Sequence, residues 1–102
     1  MQQPYTTITP AGLTFARTPV AVTAAGVAVC PANAQRKWLY VENVGANPCA
    51  IAPGDVVAWG TDRVLTAGAG DQGGALEGPL LDGFKAACAP GLSTALIVWE
   101  AL

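Results

Sequence analysis

Apolar side chains along this chain come in short runs, repeatedly cut by Gly, Pro, Asn and Asp, which leaves little room for helices. Only Ala32 to Val44 and Leu92 to Leu102 run for more than ten residues without Gly or Pro. Inside the first, Lys37-Trp38-Leu39-Tyr40-Val41-Glu42-Asn43-Val44 is dense in aromatic and β-branched residues, which suit a pleated surface. It then meets the turn formers Gly45-Ala46-Asn47-Pro48. The pattern predicts a strand over Arg36 to Asn43, with Trp38 and Tyr40 on one side and Leu39 and Val41 on the other. Both sides are apolar, so this strand is expected to be central and covered on each face.

The second window reads two ways. Leu92, Ala95, Leu96, Trp99 and Leu102 fall at helical spacing, yet Ala95-Leu96-Ile97-Val98-Trp99 is a short continuous apolar run behind Ala89-Pro90-Gly91. Strand is the favoured reading. Further strands are predicted at Val20 to Thr23 and Val27 to Cys30, as a hairpin around Ala24-Ala25-Gly26, and at Cys49 to Ala52, Val56 to Trp59 and Arg63 to Thr66. Ala75 to Glu77, Pro79 to Leu81 and Phe84 to Ala89 follow, with Asp82-Gly83 as a second hairpin turn. Seven to nine short antiparallel strands about ten residues apart point to one all-β sandwich or barrel.

The first nineteen residues differ. Thr and Pro alternate there with Tyr5, Ile8, Leu13 and Phe15, a composition that favours extended backbone but offers no core of its own. The expected organisation is an extended arm over 1–19 and a β-sandwich domain over 20–102. An edge strand with a frayed end is the alternative for the arm.

Composition narrows the function. The chain has 102 residues, 52% of them apolar and 12% charged, with 20 alanines. Disordered chains have the opposite balance. The net charge is −2, and the five basic residues form no run longer than Arg36-Lys37, so no stripe exists for phosphate. No apolar window is long enough to cross a membrane, and no signal peptide opens the chain. Synthesis in a cytoplasm without export by a recognisable route is expected.

There is no histidine, so Ser-His and Cys-His nucleophiles and imidazole metal ligands are excluded. Cys30, Cys49 and Cys88 stand far apart without a C-x-x-C pair and read as three small buried hydrophobes with free thiols. Gly68-Ala69-Gly70-Asp71-Gln72-Gly73 spells the dinucleotide fingerprint, but Gly74 and Gly78-Pro79 leave no helix to receive a pyrophosphate. Asp55, Asp62, Asp71, Glu77 and Asp82 lack the spacing of an acid–base pair or a Ca²⁺ loop and read as solvated carboxylates. Trp38, Trp59, Trp99 and Tyr40 have the makings of a sugar platform, but all four lie inside predicted strands and are assigned to the core. No enzyme, cofactor or metal site is expected.

The stretch Leu39-Tyr40-Val41-Glu42-Asn43-Val44-Gly45-Ala46-Asn47-Pro48-Cys49-Ala50-Ile51-Ala52-Pro53-Gly54-Asp55 resembles a pattern in small tailed-phage structural proteins. There, a strand ends in an Asn-x-Gly-x-Asn-Pro turn, then a second short strand and a Gly-Asp turn follow. Phe84 to Gly91 followed by Ser93-Thr94-Ala95-Leu96 is similar to their closing hairpin. The resemblance implies a non-enzymatic virion component: a head decoration or cement protein, or the base of a head fibre. It would sit on the capsid surface, bind the major capsid protein and assemble as a homo-oligomer such as a trimer. Tyr5, Ile8, Leu13 and Phe15 are then the candidate partner contacts, and neither nucleic acid nor membrane is a partner. The alternative is a host-recognition or carbohydrate-binding module of a tail or fibre.

Overall fold

The computed structural model describes residues 12–67 and 75–102. Those residues form eight strands and no helix: β1 (Phe15–Thr23), β2 (Val27–Cys30), β3 (Trp38–Asn43), β4 (Cys49–Pro53), β5 (Arg63–Leu65), β6 (Ala75–Gly78), β7 (Phe84–Cys88) and β8 (Ser93–Ala101). All pairings are antiparallel, in two sheets of order β1-β8-β3-β6 and β2-β7-β4-β5. This order is a double Greek key, the eight-stranded jelly roll. Leu92 to Leu102 is a strand because its apolar residues alternate: Leu96 and Val98 enter the core, and Ile97 and Trp99 point away from it.

The core lies between the sheets. Val22, Leu39, Val41, Leu76, Leu96 and Val98 of the first sheet meet Val29, Cys49, Ile51, Leu65, Phe84 and Cys88 of the second. Leu39, Leu65 and Leu96 are fully buried, each worth roughly 1.5–3 kcal/mol relative to exposure.

Polar side chains pin the two ends of β3. Before its first residue, the buried Arg36 guanidinium gives Nε and Nη2 to Glu100 Oε2, both at 2.8 Å. Its Nη1 donates to the carbonyls of Leu80 and Asp82 at 2.9 and 3.0 Å, and Nη2 also reaches Pro31 O. Every Arg36 donor direction is thereby used. At the other end, Asn43 Nδ2 donates to Asn47 O (2.9 Å) and Leu65 O (3.1 Å), while its Oδ1 accepts from Gly45 N (3.0 Å) and Thr94 Oγ1 (2.8 Å). Gly45 is required in that corner. An added Cβ would overlap Thr94 Oγ1 and stand 2.5 Å from the Ala95 nitrogen.

Several local expectations are corrected. The turns at Ala24-Ala25-Gly26 and Ala89-Pro90-Gly91 do not close hairpins, because β1 and β2, like β7 and β8, belong to different sheets. Pro79 to Leu81 is no strand, since the carbonyls of Leu80 and Asp82 turn to Arg36. Asp82-Gly83 is no positive-φ turn either. Gly83 is needed for space: a Cβ there would lie 2.8 Å from Ala32 N. Val56 to Trp59 is also irregular, leading into a turn in which Asp62 Oδ2 accepts from Ala58 N at 2.7 Å and Gly60 has φ +91°.

Candidate functional site

Strand register places a set of large side chains on the outer face of the first sheet. Three rows cross it: Phe15, Ala101 and Trp38; Arg17, Trp99, Tyr40 and Glu77; Pro19, Ile97, Glu42 and Ala75. All alternate with core residues of the same strands, so they face away from the second sheet. Trp38, Tyr40 and Trp99 therefore stand outside the core cluster between the sheets, although Tyr40 is buried as expected. They form a separate aromatic layer behind it. Period-two alternation in β3 carried the signal, but only the β3–β8 register shows that Trp99 joins Tyr40.

The layer is tied together by polar contacts. Trp38 Nε1 donates to Glu77 Oε2 at 3.1 Å, and the Arg17 guanidinium carbon lies 5.9 Å from the Trp99 ring centroid. Tyr40 and Glu42 are buried, while Trp38 and Trp99 are half-buried. Glu42 Oε2 has no hydrogen-bond partner among the described residues, an expensive state for a buried carboxylate oxygen. No signal in the sequence distinguished Glu42 from a solvated charge.

Beside this face runs β1, an edge strand of nine residues and mostly exposed. It takes in Phe15 to Pro19, so for those residues the structure has the edge strand rather than a free arm. Phe15 is half-buried opposite Ala101, and Leu13, half-buried, precedes it. The other two candidate contacts, Tyr5 and Ile8, lie outside the described residues. Phe15, Leu13 and the exposed Leu102 lie near the end of this sheet where Trp38 begins β3.

The remaining candidates are scattered. Trp59 is partly exposed on its turn and does not share the aromatic layer. Asp62 caps the same turn and Glu77 holds Trp38. Asp55 and Asp82 line an open cavity of about 310 Å³ with Lys85, and Asp71 lies outside the described residues, as does Gly68 to Gly73. The residues that follow that glycine segment form β6, a strand, where a dinucleotide site needs a helix. Among the described residues no cluster of His, Cys, Asp or Glu is placed to hold a metal.

The outer face, β1 included, carries rings together with Ile97, Pro19, Arg17 and the carboxylates Glu42 and Glu77. Such a set suits packing against another surface. Comparison with protein-family models, with curated proteins and with solved structures finds no match.

Proposed function

We propose that this chain is a non-enzymatic phage virion protein that decorates the capsid exterior and stabilises it by binding the major capsid protein. The observation that carries the reading is the double Greek key, an architecture that serves viral capsid domains, backed by an aromatic layer outside the core. The link from fold to role is analogy, and the site must supply the rest. Leu13 and Phe15 offer the contact surface, together with Tyr5 and Ile8 upstream. Burying two or three such side chains contributes roughly 1.5–3 kcal/mol each. Ordering backbone costs about 1–2 kcal/mol per residue, so each contact is weak and repetition over a shell supplies the strength. A homo-oligomer, with a trimer as one form, would shelter the β1 edge.

Immunogold microscopy with antibodies to the folded domain, on phage particles from the strain that carries the gene, tests this. Label over the whole head is expected, and Phe15→Ser should weaken co-sedimentation with heads by at least about tenfold, or ~1.4 kcal/mol. Heads without label overturn the proposal. Jelly rolls also serve lectins, and Trp59 is partly exposed on a turn. Label confined to the tail tip, with glycan binding lost in Trp59→Ala, would favour host recognition instead.

A further inference from the structure

Cys49 of β4 and Cys88 of β7 are direct partners across the ladder, and both face the core with essentially no solvent exposure. The type of pair follows from the neighbouring hydrogen bonds. Gly54 N donates to Gly83 O at 2.8 Å, one step beyond the pair Pro53–Phe84. Position 54 is therefore hydrogen-bonded to 83, and Pro53, which has no N–H, occupies a non-hydrogen-bonded pair. Counting back through Ile51–Ala86 places Cys49 and Cys88 in a non-hydrogen-bonded pair as well. In such pairs the Cα atoms stand about 4.5 Å apart and the side chains are at their closest. That distance lies within the roughly 4.4–6.8 Å range of disulfides. Cys30 has Phe84 across from it and no cysteine.

We propose that Cys49 and Cys88 are a latent disulfide, kept as thiols in a reducing compartment and joined across β4 and β7 by a small-molecule disulfide such as oxidised glutathione. The thiolate of one cysteine attacks the glutathione S–S bond, forming a mixed disulfide and releasing one glutathione thiolate, which takes up a proton. The second cysteine, deprotonated, attacks the protein sulfur of that mixed disulfide and expels the other glutathione. The protein loses two electrons and two protons, and oxidised glutathione becomes two reduced molecules.

The closed sandwich protects the pair. Desolvation, and then the neighbouring Cys88, push the Cys49 thiol up to about 11, and burial raises Cys88 as well. The Cys88 thiol points at Val22 O, 3.7 Å away, and Asn43 Nδ2 lies 4.0 Å from Cys49 Sγ. Reaction therefore waits on local opening. The three-residue edge strand β5, which pairs Leu65 with Cys49, is the weakest cover on that side. A bridge here would close a loop across the middle of the chain and constrain the unfolded state.

The test uses the folded chain and its Cys30→Ala variant, each held in oxidised glutathione, then denatured and treated with a thiol-specific mass tag. The variant should lose both thiols with a mass loss of two hydrogens, while keeping them in reduced glutathione. Peptide mapping should join the segments around Cys49 and Cys88, and the melting temperature should rise by at least about 10 °C. Adding Cys49→Ala or Cys88→Ala should leave the remaining thiol free. Repeating the incubation in mild urea, which promotes opening, should speed the reaction. Persistence of both thiols even in urea overturns the proposal, as does a bridge that includes Cys30 in the natural chain.

Discussion

Replacing Asn43 by Ala tests whether the corner beyond β3 holds the two sheets together. The Asn43 side chain is fully buried and links its own turn to β5 through Leu65 O and to β8 through Thr94 Oγ1. The truncation leaves four groups without their partner. Gly45 N and Asn47 O lie where water can reach them, so their loss is partly recovered. Leu65 O and the Thr94 hydroxyl are buried, and each orphan costs about 1–3 kcal/mol. The sum is about 3–4 kcal/mol, a large share of the 5–15 kcal/mol by which domains are usually stable. At about 4–8 °C per kcal/mol, the melting temperature should fall by at least ~12 °C. Urea unfolding is the assay, with the midpoint shifted and the slope unchanged. Thr94→Val removes the hydroxyl at nearly constant shape, and the double variant should cost about 1 kcal/mol less than the sum of the singles. A loss below ~1 kcal/mol for Asn43→Ala, or strict additivity with Thr94→Val, would refute the argument.

Other consequences follow from the same structure. Gly45→Ala should destabilise by at least ~3 kcal/mol in urea, because its Cβ meets the Ala95 backbone, whereas Gly60→Ala, with open space around it, should cost only ~1 kcal/mol from its positive φ. Glu100→Gln should cost about 2–3 kcal/mol by the same assay, since it removes the charge facing a fully buried guanidinium, and the double variant with Arg36→Met should cost less than the sum of the two single changes. Alkali should weaken the fold. Cys49 holds its proton to about pH 11 when folded and gives it up near 9 when unfolded, so the unfolded state is favoured as pH rises through that window. Reduced protein should lose about 2 kcal/mol by the top of it, and Cys49→Ala should lose measurably less.

Strand identity was legible where it rests on local chemistry. Arg36 to Asn43 has β-branched and aromatic residues on both faces, and it became the central strand β3 with two covered sides. The turn at Asn43, Gly45 and Asn47 was legible as a turn, and its hydrogen bonds now explain those residue types. Pairing was not legible, because a two- or three-residue turn looks the same whether the next strand returns beside the last or crosses to the opposite sheet. Every strand but β5 crosses. Asp82-Gly83 misled for a related reason: the glycine answers to the backbone of residues 30–32, which is remote in sequence. Apolar bulk in a strand says nothing about which of two covered faces it enters, so the outer placement of Trp38, Tyr40 and Trp99 was not legible either.

The edges determine how such a chain can meet a partner. Of the four edge strands among the described residues, β2 and β6 have four residues and β5 has three, too short to template another chain. Only β1 is long, and its central part carries Arg17 and Pro19. Proline has no N–H to offer an added strand, and a charged neighbour opposes burial of the edge. Strand addition along β1 is thus interrupted in the middle, even though its length invites it. What β1 leaves usable is its beginning, where Phe15 sits beside Ala101 and Leu13 precedes it, together with the aromatic rim of Trp38. On the proposed function, a partner would therefore be met through side chains at one end of the sheet, in apolar contacts that tolerate small changes of angle. Main-chain pairing fixes a single register, whereas a curved shell presents its subunits at slightly different tilts. A decoration protein repeated over such a shell gains more from the first kind of contact than from the second.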